Sequence, residues 1–290
     1  AEPSTVEALI DLLTVAKEKN MPYLVLGKGS NVLVADKGIR GLVISLGERF
    51  GRFGFLGNFP GEEDYHWNLK HLHQSPVLNH QGKAYFYSEA GASMIDASRY
   101  ASSQGLTGLE FATGIPGSVG GAIFMNAGAY EGSTVDVAKI TYYLDEDLKI
   151  KALEGTDQGF GYRMSAFQKG EKIILSTCYV LEEDDPQIIK DRVNDYTARR
   201  EHSQPLDMPS CGSVFKRPEG HYVGKLITDA GLKGKAIGGA QVSLKHAGFI
   251  VNQGGATAQN VLDLIHFIQD EIYNRFGVRL ETEVRRIGDY

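Results

Sequence analysis

At 290 residues the chain exceeds the usual span of one compact core, which predicts two or three domains. Hydrophobic residues make up 42% and charged residues 23%, with mean hydropathy −0.22, a composition ordinary for a soluble enzyme. The net charge of −6 comes with no basic stripe, which argues against a nucleic-acid surface, and no apolar run approaches the roughly 20 residues of a membrane-spanning helix.

The opening AEPSTVEALI lacks the basic n-region and apolar core of a secretory signal. Ser4 and Glu7 have the spacing of a capping box, and Val6, Leu9, Ile10, Leu13 and Ala16 repeat at helical period, so a first helix begins here. Next come a strand over 23–26, a glycine loop over 27–31, and an apolar strand over 32–35. Asp36-Lys37-Gly38 then reads as a turn before a strand over 41–46. From Gly51 to Tyr87 aromatics, Gly, Pro and His alternate without a period. That predicts a surface excursion or a small inserted subdomain, with Trp67 and its aromatic neighbours packing it down.

Regularity resumes at Ser93, which with Asp96 caps a short helix ending near Gly105. A glycine-rich stretch over 105–132 follows, then strands over 139–144 and 173–181. A helix starts after Pro186 and closes on Arg199-Arg200, as the helix dipole prefers. His202-Ser203-Gln204-Pro205 reads as a linker and the domain boundary. Beyond it lie a short helix over 222–230, a long helix ending at Gly277 and a final strand over 278–287. No internal repeat is visible. The two cysteines, Cys178 and Cys211, exclude a disulfide framework and point to the reducing cytoplasm.

Glycine is in surplus, 35 residues or about 12% of the chain, against an average near 7%. In the first loop, Gly27-Lys28-Gly29-Ser30-Asn31, small residues let consecutive backbone N–H groups face an anion such as a pyrophosphate. It is neither a Walker loop nor a dinucleotide fingerprint, because a strand and not a helix follows. Alone, such a loop is a plain tight turn. The second candidate is Gly114-Ile115-Pro116-Gly117-Ser118-Val119-Gly120-Gly121-Ala122, stiffened by Pro116 and almost free of side-chain bulk. It suits a flat ring system or a diphosphate, or else a crowded structural crossover.

Together and in this order, LGKGSNVLV and GLEFATGIPGSVGGAIFMNAGAYEG resemble the flavin-binding segments of the UDP-N-acetylenolpyruvoylglucosamine reductase (MurB) family. Further matches follow in the family's order: GYRMSAF at 161–167, CGSVFKRP at 211–218, AQVS at 240–243 with HAGFIVN at 246–252, and LETEVR at 280–285. The resemblance covers 1–50 and 88–288. It implies an α+β protein: a FAD-binding domain of the vanillyl-alcohol oxidase-like (PCMH-type) fold in two α/β lobes, and a C-terminal α+β substrate-binding domain. The expected division is 1–200, with lobes 1–50 and 88–200 and an insert 51–87, then 201–290.

The same resemblance implies FAD as cofactor, held by Gly27, Lys28, Gly29, Ser30 and Asn31 and by Gly114, Ile115, Pro116, Gly117, Ser118, Gly120, Gly121 and Ala122. It implies NADPH as co-substrate and the enolpyruvyl ether of UDP-N-acetylglucosamine as small-molecule substrate, in a cytoplasmic monomer with no nucleic-acid or membrane partner. Hydride addition at C3 of an enolpyruvyl group leaves negative charge at C2, delocalised into the carboxylate. A fixed cation must stabilise that charge and an acid must protonate C2. The family pattern maps Arg163 onto the first role, Ser213 onto the proton donor and Glu283 onto a second acid. Without the motif these three read as an ion-pairing arginine, a turn serine and a solvent-facing strand carboxylate. Alternation places Glu281, Glu283 and Arg285 on one strand face. Lys216, Arg217, Gln241 and Asn252 map onto substrate contacts.

Two departures stand out. The family's upstream strand, with its Thr-x-x-Gly-Gly-type segment, has no counterpart, so the sequence reads as a partial chain. In 51–87, His66, His71, His73 and His80 match no standard metal spacing, and no metal is expected. Two alternatives remain at this point: another flavoenzyme of the same fold acting on an alcohol or sugar, or a non-catalytic nucleotide-binding relative. The absence of His or Cys from 27–31 and 114–122 speaks against covalent flavin attachment, which such oxidases often use.

Overall fold

A computed structural model describes residues 1–289 and resolves into two compact units, Ala1–Lys28 with Gly41–Ala198, and Gly29–Arg40 with the chain from Arg199 onward.

In the first unit the helix Val6–Glu18 buries Val6, Leu9, Leu13 and Ala16, the stripe its period predicts. Its cap is Thr5 rather than Ser4. Val6 is already helical and buried, so Thr5 is the last extended residue, and its hydroxyl accepts from the Ala8 N–H at 3.2 Å. The strands Tyr23–Leu26 and Leu42–Ser45 pair in parallel, with Tyr23 opposite Leu42.

A larger sheet forms the core of this unit. Its strands run in the order Ile150–Glu154, Ala138–Leu144, Ile173–Glu183, Lys83–Glu89 and Phe53–Leu56, every pairing antiparallel. Phe53–Leu56 and Lys83–Glu89 therefore belong to the central sheet, not to an insert. Phe55, Phe86 and Tyr87 are fully buried, and Phe53, Phe55, Phe86 and Tyr100 pack as an aromatic cluster. A strand buried on both faces shows no alternation, which is why 51–87 read as irregular. The excursion proper is 57–82. It is pinned by Tyr65 of the short helix Tyr65–Lys70, while Trp67 stays 46% exposed and stacks on His71 at 4.1 Å.

The glycine-rich stretch is more helical than its composition suggests. Ser118 caps a helix Val119–Met125, accepting from the Gly121 N–H at 3.2 Å, and Asn126 ends it in a left-handed conformation. Gly120 is required there, since a β-carbon would stand 2.8 Å from that of Ala90. The helix Pro186–Ser203 runs past Arg200 through His202, so the linker starts later than its sequence implied, and the unit boundary lies at Ala198/Arg199.

In the second unit a sheet ordered Ser210–Ser213, Phe249–Asn252, Ala240–Val242, Ala236–Ile237 packs with the helices Val223–Asp229 and Ala258–Phe276. Leu262, Leu264, Ile265, Ile268 and Ile272 of the longer helix fill the core. Residues 29–40 fold with this unit, whereas the sequence placed them in a first domain of 1–200. Two contacts explain it: Val32–Val34 pairs in parallel with Arg285–Ile287, and the Asp36 carboxylate accepts the N–H groups of Ala258 and Gln259 at 2.6 and 3.0 Å. The expected strand over 278–287 is shorter, because the chain bends at Val284. Before the bend only a single bridge joins Thr282 to Phe215, and regular pairing starts at Arg285. Among the described residues no helix is long and apolar enough to cross a membrane, and no group of three or more His, Cys, Asp or Glu is placed to hold a metal ion.

Candidate active site

Inside the first unit the start of the first glycine loop, Gly27, meets the second loop. A β-carbon on Gly27 would lie 2.0 Å from Ser118 Oγ, so the first loop presses its backbone against the cap of the second. Gly29 has φ +68°, a left-handed conformation that favours glycine. Met94 N–H donates to the Gly117 carbonyl, Val119 N–H to that of Ala92 and Gly120 N–H to that of Ala90. These bonds tie the second loop to the chain leaving the central strand at Glu89, which is itself fully buried and holds Arg52 through Nε at 3.0 Å and a second guanidinium nitrogen at 2.9 Å. That charge-assisted pairing raises the Arg52 pKa further above its ordinary value.

Arg163 sits at the tip of a tight loop in which Gly161 and Met164 exchange backbone hydrogen bonds at 3.0 and 3.1 Å. Its φ is +55°, and Asn126 and Tyr130 share this left-handed state at +43° and +57°. Three of the five non-glycine residues with positive φ among the described residues thus gather on two neighbouring segments. Such strain persists only where surrounding contacts enforce it. Here Asn126 Nδ2 donates to the Gly161 carbonyl at 2.9 Å, Ser165 Oγ to that of Phe124 at 2.8 Å, and Gln168 Nε2 to those of Phe124 and Arg163. The Arg163 guanidinium itself reaches the Gly128 carbonyl at 3.3 Å and lies 5.1 Å from the centre of the exposed Tyr162 ring. Tyr130 stacks on Tyr196 at 4.3 Å and 6°, and its hydroxyl donates to the Tyr196 carbonyl.

Ser213 and Glu283 lie on adjoining segments of the second unit. Val214 N–H donates to the Gly248 carbonyl at 2.9 Å, and the Val214 carbonyl accepts from Glu283 N–H at 2.7 Å. Both side chains are half-buried, and the Ser213 hydroxyl makes only a long contact to the Phe215 carbonyl at 3.5 Å. On the other side of Ser213 stands His246, whose Nδ1 accepts from Gly248 N–H at 3.1 Å, which leaves the proton of the neutral ring on Nε2. A β-carbon on Gly248 would lie 3.2 Å from that Nδ1 and 3.4 Å from Ser213 Oγ, so this glycine keeps the space between them open. Burial lowers the His246 pKa from 6.5. Sequence reasoning gave His246 no role, although it opens the matched segment HAGFIVN.

The other substrate candidates are less alike. Lys216 pairs with Glu281 at 3.3 Å, and its N–H donates to the Glu281 carbonyl, which sets it on the same pair of segments as Ser213 and Glu283. Arg217 is turned onto the exposed Tyr222 ring at 3.9 Å. Gln241 donates to the Gly234 carbonyl and accepts from Gln253, while Asn252 Oδ1 accepts from Gly254 and Ala256 N–H groups, so both already serve the local backbone.

The chain matches two family models: a FAD binding domain over residues 1–56 and 62–144, and the C-terminal domain of UDP-N-acetylenolpyruvoylglucosamine reductase over residues 204–287. It is 45% identical over 289 residues to the UDP-N-acetylenolpyruvoylglucosamine reductase of Lactobacillus delbrueckii subsp. bulgaricus, covering 100% of this chain and 88% of that one. The enzyme of that name from a type B Clostridium botulinum strain is 46% identical over 287 residues, covering 99% and 86%. Among solved structures, the Thermus caldophilus reductase (MurB) superposes with a TM-score of 0.76 at 31% identity, covering 99% of this chain and 91% of that one. Identity of this degree along the whole chain places it in the UDP-N-acetylenolpyruvoylglucosamine reductase family.

Proposed function

We propose that this chain is a FAD-dependent oxidoreductase that reduces the enolpyruvyl ether of UDP-N-acetylglucosamine to UDP-N-acetylmuramate, with NADPH as hydride donor. The product feeds peptidoglycan synthesis, and through it cell-wall growth, cell shape and division, in the cytoplasm and as a monomer. Family membership along the whole chain supports the reaction. One observation supports the site: the Glu283 N–H donates to the Val214 carbonyl at 2.7 Å, which ties the proposed second acid to the residue after Ser213.

The residues of the glycine loops fit the flavin. Gly27 cannot carry a side chain beside Ser118, nor Gly120 beside Ala90, so backbone amides and small atoms form the surface that these loops offer to a diphosphate and a flat ring. Gly27, Lys28, Gly29, Ser30 and Asn31, with Gly114, Ile115, Pro116, Gly117, Ser118, Gly120, Gly121 and Ala122, are the proposed holders. When bound, FAD supplies a two-electron carrier between NADPH and the substrate.

The chain's own residues act on what hydride addition leaves behind. Arg163 is assigned to the substrate carboxylate, where its fixed charge stabilises the developing enolate. Its strained loop keeps the side chain aimed without reorganisation. Ser213 Oγ gives its proton to C2, and the Glu283 carboxyl supports that transfer. Lys216, Arg217, Gln241 and Asn252 are proposed contacts of the nucleotide sugar, Lys216 foremost because it shares the segments of Ser213 and Glu283.

The test is an anaerobic titration of the purified holoprotein. NADPH bleaches the flavin absorbance, and only the enolpyruvyl sugar nucleotide restores it while UDP-N-acetylmuramate accumulates. Flavin that NADPH does not bleach, or colour restored equally by unrelated enol ethers, overturns the assignment.

A further inference from the structure

Glu283 stands at a gap in the backbone pairing. Before it, Thr282 bridges Phe215; after it, the chain bends at Val284 and begins a new ladder, Arg285 beside Val32. In a strand interior the neighbouring strand supplies the partners of each peptide group; at this break the Glu283 carbonyl takes its partner from a side chain instead. Asn31 fills that gap. Its side-chain Nδ2 donates to the Glu283 carbonyl at 3.2 Å, and its own carbonyl accepts from Arg285 N–H at 3.1 Å. With Glu283 N–H bound to Val214, the peptides on both sides of the acid are therefore fixed, one to the strand of Ser213 and one to Asn31.

We infer that Asn31 is a positioning residue for Glu283: its amide side chain serves the acid, while its backbone remains part of the glycine loop. The Asn side chain suits this task because it offers an N–H donor on a short arm next to its own backbone acceptor. An Asp in its place would present only acceptors to a carbonyl. The inference rests on the proposed role of Glu283 and adds a division of labour within the first loop. The loop's backbone faces the cofactor, and the side chain at its last position reaches 252 residues along the sequence to the reacting acid.

The two half-reactions separate these jobs. Asn31→Leu keeps backbone and volume but removes the donor; Asn31→Gln keeps a donor on a longer arm. With each variant saturated with added FAD, its rate of reoxidation is read relative to its own rate of reduction by NADPH, so that a change in cofactor affinity does not enter the comparison. Reoxidation by the enolpyruvyl substrate should fall about 10- to 100-fold in Asn31→Leu, as misplacement of a catalytic group by an ångström does. Asn31→Gln should recover part of it, with a displaced pH profile for that half-reaction. The double variant Asn31→Leu/Glu283→Gln should be no slower than Glu283→Gln alone, since both act through one group. Parallel loss of both half-reactions overturns the inference in favour of a cofactor contact. So do additive losses in the double variant, or a wild-type reoxidation rate in Asn31→Leu. Should Asn31→Leu not yield folded protein, Asn31→Gln decides alone: a reoxidation pH profile identical to wild type overturns the inference. Wild-type reoxidation by Glu283→Gln would instead remove the catalytic role of Glu283 itself, a separate and distinguishable failure.

Discussion

Ser118 Oγ occupies the place where a β-carbon on Gly27 would have to go, 2.0 Å from it, and the same oxygen caps the helix that follows. One atom thus couples the packing of the first glycine loop to the shape of the second.

Gly27→Ala should consequently damage both loops at once. The new methyl displaces Ser118 from the Gly121 N–H, a lost cap worth about 0.5–2 kcal/mol, and shifts the loop that precedes it. Expected are a lower melting temperature and a reduced ratio of flavin to protein absorbance on purification. Gly47→Ala is the matched control, because a β-carbon there meets nothing within 4 Å and its φ is an ordinary −112°. Equal behaviour of the two variants would refute the coupling.

Ser213→Ala removes the proposed proton donor while its backbone neighbours stay in place. Flavin reduction by NADPH should be unaltered, and reoxidation by substrate should slow by about 10²–10⁴-fold, the range for loss of a positioned acid. Stopped-flow absorbance at the flavin band reads both. An equal loss in the two half-reactions would deny the serine its role.

Arg163 holds a left-handed conformation that costs a non-glycine residue about 1–2 kcal/mol. Arg163→Gly relieves it, so the variant should melt no lower than wild type despite losing the contact to the Gly128 carbonyl. Turnover should nonetheless fall at least about 100-fold, since the charge proposed to stabilise the enolate is gone. Melting curves and steady-state rates, taken together, check the trade. A destabilised but active variant would contradict it.

His246 gives the protein an acid-side sensitivity. Its pKa lies below 6.5 in the folded state because burial, first, and the Lys233 charge disfavour the imidazolium. As pH drops through 6.5 the unfolded chain takes up a proton that the folded chain refuses. Stability is therefore complete above that pH and declines below it until the folded pKa is reached. His246→Gln should flatten this part of the melting-temperature profile. A profile that still falls as steeply below pH 6.5 would assign the sensitivity elsewhere.

Much of the scaffold was legible from local pattern. The helices 6–18, 94–103 and 258–276 follow from period and caps, and the strand 173–183 from an unbroken run of β-formers. What failed did so for a reason. Phe53–Leu56 and Lys83–Glu89 were lost because burial on both faces erases the alternation that marks a strand. The helix at Val119 was hidden by two glycines, whose low helix propensity is overridden by the Ser118 cap and by packing on Ala90. Residues 280–287 looked like one strand, but they serve two partners in turn, Phe215 and then Val32–Val34. For the candidate site, the identities of Arg163, Ser213 and Glu283 came from motif order. The left-handed turn at Arg163 and the reach of Asn31 to Glu283 were invisible, because both depend on segments far away in sequence.

The parallel pairing of Val32–Val34 with Arg285–Ile287 also dictates a timetable. A chain emerging from the ribosome exposes residues 29–40 early, yet their strand partner follows roughly 250 residues later. Closing so long a loop is slow, and the segment stays without its ladder until residues 285–287 have been made. The residues around Glu283 find their places at the same stage. A chain that stopped before Glu283 would therefore lose the partner of residues 32–34 together with the proposed acid.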